Sequence, residues 1–267
     1  MKQIYSAQLV NLLIGLAAGF FGGLVGLGGG VIMIPLMVGI LKMDQHSAHG
    51  TSLVALIFTG ISGAVTYYLN GSVDVISSLF LALTAIFTAR AGAKFANALP
   101  EWKLKRSFGA FLMLVTLLML IKPLLAHFSG PVTGWTNIVI MLGTGVFTGF
   151  LSGMMGVGGG SIMVPAMVLL AGFTQQTAQG TSLLAMVPAG GVGAFTHWRL
   201  GNVKADILPG LIPGILVGTF LGGSFAHILP EVALRLVFAA VLIWTGIGYL
   251  RTAKPQEKRD SNVSPEE

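Results

Sequence analysis

The sequence contains no cysteine, which excludes disulfide cross-links, thiolate nucleophiles and cysteine metal cages at the outset. Charge is scarce as well. Only 9% of the residues are Asp, Glu, Lys or Arg, against about 25% in an ordinary soluble domain. The carboxylates are Asp44, Asp74, Glu101, Asp206, Glu231, Glu257, Asp260, Glu266 and Glu267, and all fall in loops, at the ends of apolar segments or in the terminal tail. With none in the middle of an apolar run, the usual intramembrane proton or cation relay is missing. No residues have the spacing of a metal cage or a nucleophile–base set, so the sequence predicts neither an enzyme nor a bound cofactor or metal. The net charge of +6 forms no soluble basic patch, which argues against nucleic acid as a partner.

What the chain has instead is apolar residues and glycine: 54% of its 267 residues are hydrophobic and 38 are glycine. Apolar runs of about 20 residues, the length needed to cross a bilayer core of about 30 Å, recur from residue 8 to residue 250. The sequence therefore predicts an all-α polytopic integral membrane protein whose first partner is the lipid bilayer. The N-terminal segment has the make-up of a signal peptide, but residues 15–23 have a counterpart at 145–153, so it is expected to belong to the fold. Residues 252–267 are polar and charged and are expected to form a disordered cytoplasmic tail.

The chain repeats itself. "GLVGLGGGVIMIPLMV" at 23–38 returns as "GMMGVGGGSIMVPAMV" at 153–168, and "HGTSLVA" at 49–55 as "QGTSLLA" at 179–185. Adding 130 to a residue number aligns the two copies without a gap as far as "LPE" at 99–101 and 229–231. Such register points to two homologous units: 1–126 and 137–251, joined by an extracytoplasmic linker at 127–136. Each holds five apolar segments, at about 8–27, 31–42, 50–69, 73–97 and 105–126, then at about 137–157, 161–172, 180–199, 204–228 and 233–250.

Lys and Arg set the orientation. "PEWKLKR" (100–106), "RLGNVKAD" (199–206) and the tail with Arg251, Lys254, Lys258 and Arg259 are expected in the cytoplasm. "LNGSVD" (69–74), "HFSGPVTGWT" (127–136) and "GFTQQTAQ" (172–179) lack Lys and Arg and are expected outside. The basic loop follows the fourth segment in one unit and the third in the other. The units are therefore expected to lie upside down relative to one another.

Two sets of glycines ask for different explanations. Gly15, Gly19 and Gly23, with Gly145, Gly149 and Gly153, fall at four-residue intervals, the spacing of close helix packing. Three consecutive glycines, Gly28, Gly29 and Gly30, and again Gly158, Gly159 and Gly160, exceed what packing requires. The segment after each is only about 12 residues, about 18 Å of helix, too short to span. Each triplet is read as a turn inside the membrane that starts a half-helix. Two such N-termini brought together by inversion expose free N–H groups and the positive ends of two helix dipoles, a site for a small anion.

Further candidates surround this site. Thr51, Ser52, Thr181 and Ser182 open the third segments and could donate hydroxyl hydrogen bonds to an anion; the competing roles are bonding back to a helical carbonyl or capping the helix start. His49 aligns with Gln179, so a shared metal role is disfavoured and capping or interfacial duty is expected. Arg90 is the one cation well inside a span, set either to attract substrate or to snorkel to the nearby cytoplasmic face. Tyr67, Tyr68, His197 and Trp198 end the third segments, where an interfacial aromatic belt is expected.

The duplicated "GLGGGVIMIP" and "GVGGGSIMVP", each followed by "GTSL", resemble the sulfite exporter TauE/SafE family over nearly the whole chain. The resemblance implies a multi-pass carrier of the bacterial inner membrane that moves sulfite, sulfonates or related small anions. The expected function is thus secondary export of a small sulfur-containing anion by alternating access. The alternatives are proton-coupled uptake of a small organic anion, with His49 or His197 as relay, and a non-transporting membrane assembly component. The sequence leaves the oligomeric state open, a homodimer included.

Overall fold

A computed structural model of the chain describes residues 2–96, 101–125, 132, 134–155 and 158–251. The side chain of Arg90, most of the expected linker and the tail at 252–267 lie outside the described part. Ten α-helices are described: α1 (Lys2–Val25), α2 (Gly30–Ile40), α3 (Gln45–Leu69), α4 (Val75–Ala96), α5 (Glu101–Leu125), α6 (Trp135–Met155), α7 (Gly160–Leu170), α8 (Gln175–Arg199), α9 (Leu208–Ile228) and α10 (Glu231–Leu250). No strand occurs among the described residues. Five stretches, Ala7–Val25, His46–Leu69, Trp135–Ser152, Ala205–Ile228 and Glu231–Leu250, are long and apolar enough to cross a membrane. The chain is an all-helical, multi-pass membrane protein.

The third helix begins earlier than its apolar run. Asp44 accepts a hydrogen bond from the Ser47 N–H at 2.9 Å, so the polar stretch from Gln45 becomes the first turn of α3. That N–H bond also holds the Asp44 carboxyl below its ordinary range. Thr174 caps α8 in the same way, accepting from the Thr177 N–H at 3.2 Å. His49, expected in capping or interfacial duty, is not the cap of α3: it lies in the second turn, as its counterpart Gln179 does in α8.

Packing follows one rule. Helix α1 lies on α9 and α4 on α6, while α3 pairs with α8 and α5 with α10. Exchanging each helix for its counterpart 130 residues away leaves this set of pairs unchanged. Direction can be read from the contacts. Gly50, early in α3, abuts the Asn202 carbonyl beyond the end of α8; Gly180, early in α8, abuts the Ser72 carbonyl beyond the end of α3. So α3 and α8 run antiparallel. Gly109, early in α5, faces Gly246 and Leu250 at the end of α10, and that pair is antiparallel too. Counterparts running in opposite directions are compatible with the expected inverted repeat.

The glycine stripes do what their spacing predicts. Gly15, Gly19 and Gly23 press in ascending order on Leu211, Ile215 and Thr219 of α9, so α1 and α9 are parallel. Gly145 and Gly149 press on Leu81 and Ala85 of α4. The surroundings of Gly153 are outside the described part.

Helix α2 turns back along α1. Its last residues lead to Leu41 and Lys42, which share a cavity of about 630 Å³ with Gln8 and Asn11 from the start of α1 and with Lys204 and Asp206. At 11 residues it is about 16 Å long. Its N-terminus therefore lies partway along α1, and α2 is a half-helix. Helix α7, also 11 residues, repeats the construction.

Candidate functional site

The site grows out of two backbone turns. Gly28 and Gly158 have φ of 81° and 80°, the left-handed region that side-chain-bearing residues rarely enter. A Cβ on Gly28 would collide with Leu56 and lie 3.1 Å from the Met186 sulfur; one on Gly158 would lie 3.4 Å from Leu56 and 3.6 Å from the same sulfur. Leu56 and Met186, counterparts at the middle of α3 and α8, are both buried. The two turns thus converge on one central pair of side chains. Gly160 closes the gap further: a Cβ there would sit 2.5 Å from the Gly26 carbonyl and 2.8 Å from Leu27 Cα. All six residues of the two triplets are buried.

Each turn launches a half-helix. The N–H groups of Ile32 and Met33 bond to the carbonyl of Gly29, and those of Ile162 and Met163 to the carbonyl of Gly159. The N–H groups ahead of them, on Gly30 and Val31 and on Gly160 and Ser161, have no intrahelical acceptor. Two positive helix ends therefore meet in a compact, apolar surround, where an anion is favoured.

The four predicted hydroxyls divide. Thr51 accepts from the Lys204 N–H at 3.0 Å and Thr181 from the Asp74 N–H at 2.9 Å. These two bonds tie each central helix to the loop beyond its partner, away from the glycine turns. Ser52 donates to the His49 carbonyl at 2.8 Å. Ser182 reaches the centre: its oxygen lies 2.8 Å from the Gly26 carbonyl and 3.1 Å from that of Gln179. The side chain of Arg90 lies outside the described residues.

Tyr67 departs from expectation. Tyr68 and Trp198 are 64% and 54% exposed, as a belt requires, but Tyr67 is 0% exposed. Its hydroxyl lies 2.9 Å from both the Gly23 carbonyl and the Gln179 side chain, and its ring meets His227 edge-on at 4.6 Å. One proton cannot serve two acceptors, so the consistent assignment has the Gln179 amide donating to Tyr67 and Tyr67 donating to Gly23. Tyr67 is a structural clamp on the end of α1.

Two residues beside the second turn were not singled out by the sequence. Thr148 on α6 and Ser161 on α7 are buried, and neither hydroxyl has a hydrogen-bond partner among the described residues. Among the described residues, no three His, Asp or Glu side chains stand close enough to share a metal ion.

The family model described as sulfite exporter TauE/SafE matches residues 11–249. The chain belongs to the TauE/SafE family. Among the chain's relatives is the "Probable membrane transporter protein YunE" of Bacillus subtilis, 28% identical over 260 residues that cover 89% of this chain and 95% of the relative. The "Probable membrane transporter protein YdhB" of the same organism is 28% identical over 235 residues, 85% of this chain and 92% of its own. "Sulfite exporter TauE/SafE family protein 5" of Arabidopsis thaliana is 29% identical over 136 residues, 49% of this chain and 30% of the relative. No solved structure matches at a significant level. TauE/SafE membership makes the chain a membrane transporter protein, and both glycine turns lie within the matched region.

Proposed function

We propose that this TauE/SafE protein exports a small sulfur-containing anion, sulfite, a sulfonate or a relative, by alternating access between its two units. The convergence of Gly28–Gly30 and Gly158–Gly160 on Leu56 and Met186 carries the reading: two half-helix N-termini meet at one tightly packed centre. We place the protein in the inner membrane with the C-terminus in the cytoplasm. The cluster of Lys42 and Lys204 around the cavity beside the start of α1 supports that side as cytoplasmic. The cavity then serves as the inward vestibule.

Export needs no coupling ion. Every carboxylate on the described part stands at a helix start or in a loop, so the anion's own charge couples transport to voltage. An inside-negative potential favours exit by ~2.3 kcal/mol per charge per 100 mV. A second reading, proton-coupled uptake, has one observation of its own: His197 lies half-buried near the end of α8, within electrostatic reach of His46, with Nδ1 unpartnered.

Efflux from proteoliposomes separates the two. Sulfite efflux should accelerate when a potassium–valinomycin gradient makes the interior negative; a 60 mV step supplies ~1.4 kcal/mol, about tenfold in the equilibrium gradient of a monoanion. Flux that ignores voltage and follows a pH gradient would favour uptake through His197. Flux of neither kind, with correctly inserted protein, would leave the assembly role standing.

A further inference from the structure

The two glycine turns are not chemically equivalent. Beside the N-terminus of α2 stand Ala18, whose carbonyl lies 2.7 Å from where a Gly29 side chain would begin, and Val31. Their counterparts beside α7 are Thr148 and Ser161. The Thr148 methyl lies 2.5 Å from where a Gly159 side chain would begin. Ser161 is the second residue of α7, and its Cα–Cβ bond leans toward the helix N-terminus. One turn is therefore flanked by an alanine and a valine, and the other by a threonine and a serine, the two hydroxyl-bearing counterparts.

Those hydroxyls are idle. Thr148 is 0% exposed and Ser161 is 3% exposed, yet neither oxygen has a hydrogen-bond partner among the described residues. Most helical threonines here dispose of the proton at home: Thr59, Thr66, Thr116, Thr196 and Thr245 each donate to the carbonyl four residues back, while Thr219 on α9 shares the unpartnered state of Thr148 but stands away from the α7 end. Thr148 does not take that option. A buried hydroxyl left unpaired is destabilising, and here two flank one helix end that already offers the free N–H groups of Gly160 and Ser161.

Resting on the transporter reading above, we propose that the anion binds at the α7 end alone, held by Thr148, Ser161 and the first-turn N–H groups, while the α2 end, with Ala18 and Val31 in their places, is a non-binding counterpart. The apolar groups around the turn select the anion's shape. Leu56 and Met186 border Gly158, and the Met163 sulfur lies 3.3 Å from the same position beside Gly159. N–H and hydroxyl donors set among these apolar groups suit an oxyanion with three oxygens for the donors and a lone pair or short alkyl group for Leu56 and Met186, such as sulfite or methanesulfonate. Sulfate would turn a fourth charged oxygen onto Leu and Met, where nothing compensates its desolvation.

Binding to the purified full chain, titrated with sulfite, methanesulfonate and sulfate, tests this. The double variant Thr148→Ala, Ser161→Val copies onto the second unit the residues the first already folds with. It should weaken sulfite and methanesulfonate binding at least about tenfold without lowering the melting temperature of the ligand-free protein, because the deleted hydroxyls had no partners. Thr148→Ser should keep wild-type affinity. If the double variant does not fold, Ser161→Ala, which removes one oxygen, carries the same comparison. Wild-type affinity in the variants would overturn the α7 site and leave the transporter reading intact. Sulfate bound as tightly as sulfite would overturn the shape selection, and a wild-type chain that binds none of the three would overturn the transporter reading itself.

Discussion

Lys42 holds a backbone φ of 54°, the one non-glycine in the left-handed region among the described residues. It follows the C-cap of α2, where the Met43 N–H reaches back to the Met37 carbonyl at 3.3 Å and closes the helix. That geometry prefers glycine. The second unit has glycine there: Gly172, at φ 72°. Lys42→Gly should therefore raise stability by ~1 kcal/mol, read as a higher melting temperature in detergent; an unchanged or lower value would show that the lysine is not strained. Comparing the two copies exposes the Lys/Gly difference, but not that the position is left-handed. Thr148 and Ser161 teach the same lesson. Their polarity against Ala18 and Val31 is visible in the aligned text, whereas their burial without partners depends on how α6 turns against α7, which hydropathy does not encode. Tyr67 was misplaced for the opposite reason: a tyrosine near a helix end suits a membrane interface, and only the Gly23 and Gln179 contacts make it interior.

Helix positions were largely legible because apolar length and glycine–proline punctuation mark them; the early start of α3 was missed because its cap, Asp44, sits ahead of a polar first turn. The partners of the helices were not legible. A stripe such as Gly15, Gly19 and Gly23 announces close packing but not that α9, nearly 200 residues on, receives it. The contact itself is unforgiving. A Cβ on Gly19 would lie 2.6 Å from the Ile215 carbonyl oxygen and 2.9 Å from Ile215 Cα, both backbone atoms that cannot swing aside. Gly19→Ala should cost about 1–3 kcal/mol through overpacking and separation of α1 from α9. Gly39→Ala is the matched control, since nothing lies within 4 Å of the position a Cβ would take there; it should be neutral or stabilising by up to ~1 kcal/mol. Thermal unfolding of the two variants side by side decides. Equal stabilities would mean that the α1–α9 contact opens without cost.

The antiparallel pairing of counterpart helices makes a demand on how the chain sits in a bilayer. Ser72 follows α3 and Asn202, its counterpart 130 residues on, follows α8. Each backbone closes over the second turn of the opposite helix, Ser72 on Gly180 and Asn202 on Gly50, so the two loops mark opposite ends of the α3–α8 pair. If that pair spans the membrane, one loop is wet from outside and the other from the cytoplasm, and the Lys204 and Arg199 flanking Asn202 assign it to the cytoplasm. The chain has no cysteine of its own, so single cysteines report cleanly. Ser72→Cys in intact cells should react with a membrane-impermeant maleimide, while Asn202→Cys should react only after the membrane is opened. Neither loop residue donates a side chain to the packed centre, so both variants should remain folded. Labelling of both from the same side would mean that the units enter the bilayer in parallel. The α2 and α7 half-helices would then point the same way, and the meeting of their N-termini at Leu56 and Met186 could not survive in the membrane. Opposite accessibility is what an alternating-access carrier built from two inverted units requires, because the anion at the α7 end must then be reached through one unit's loops from inside and the other's from outside.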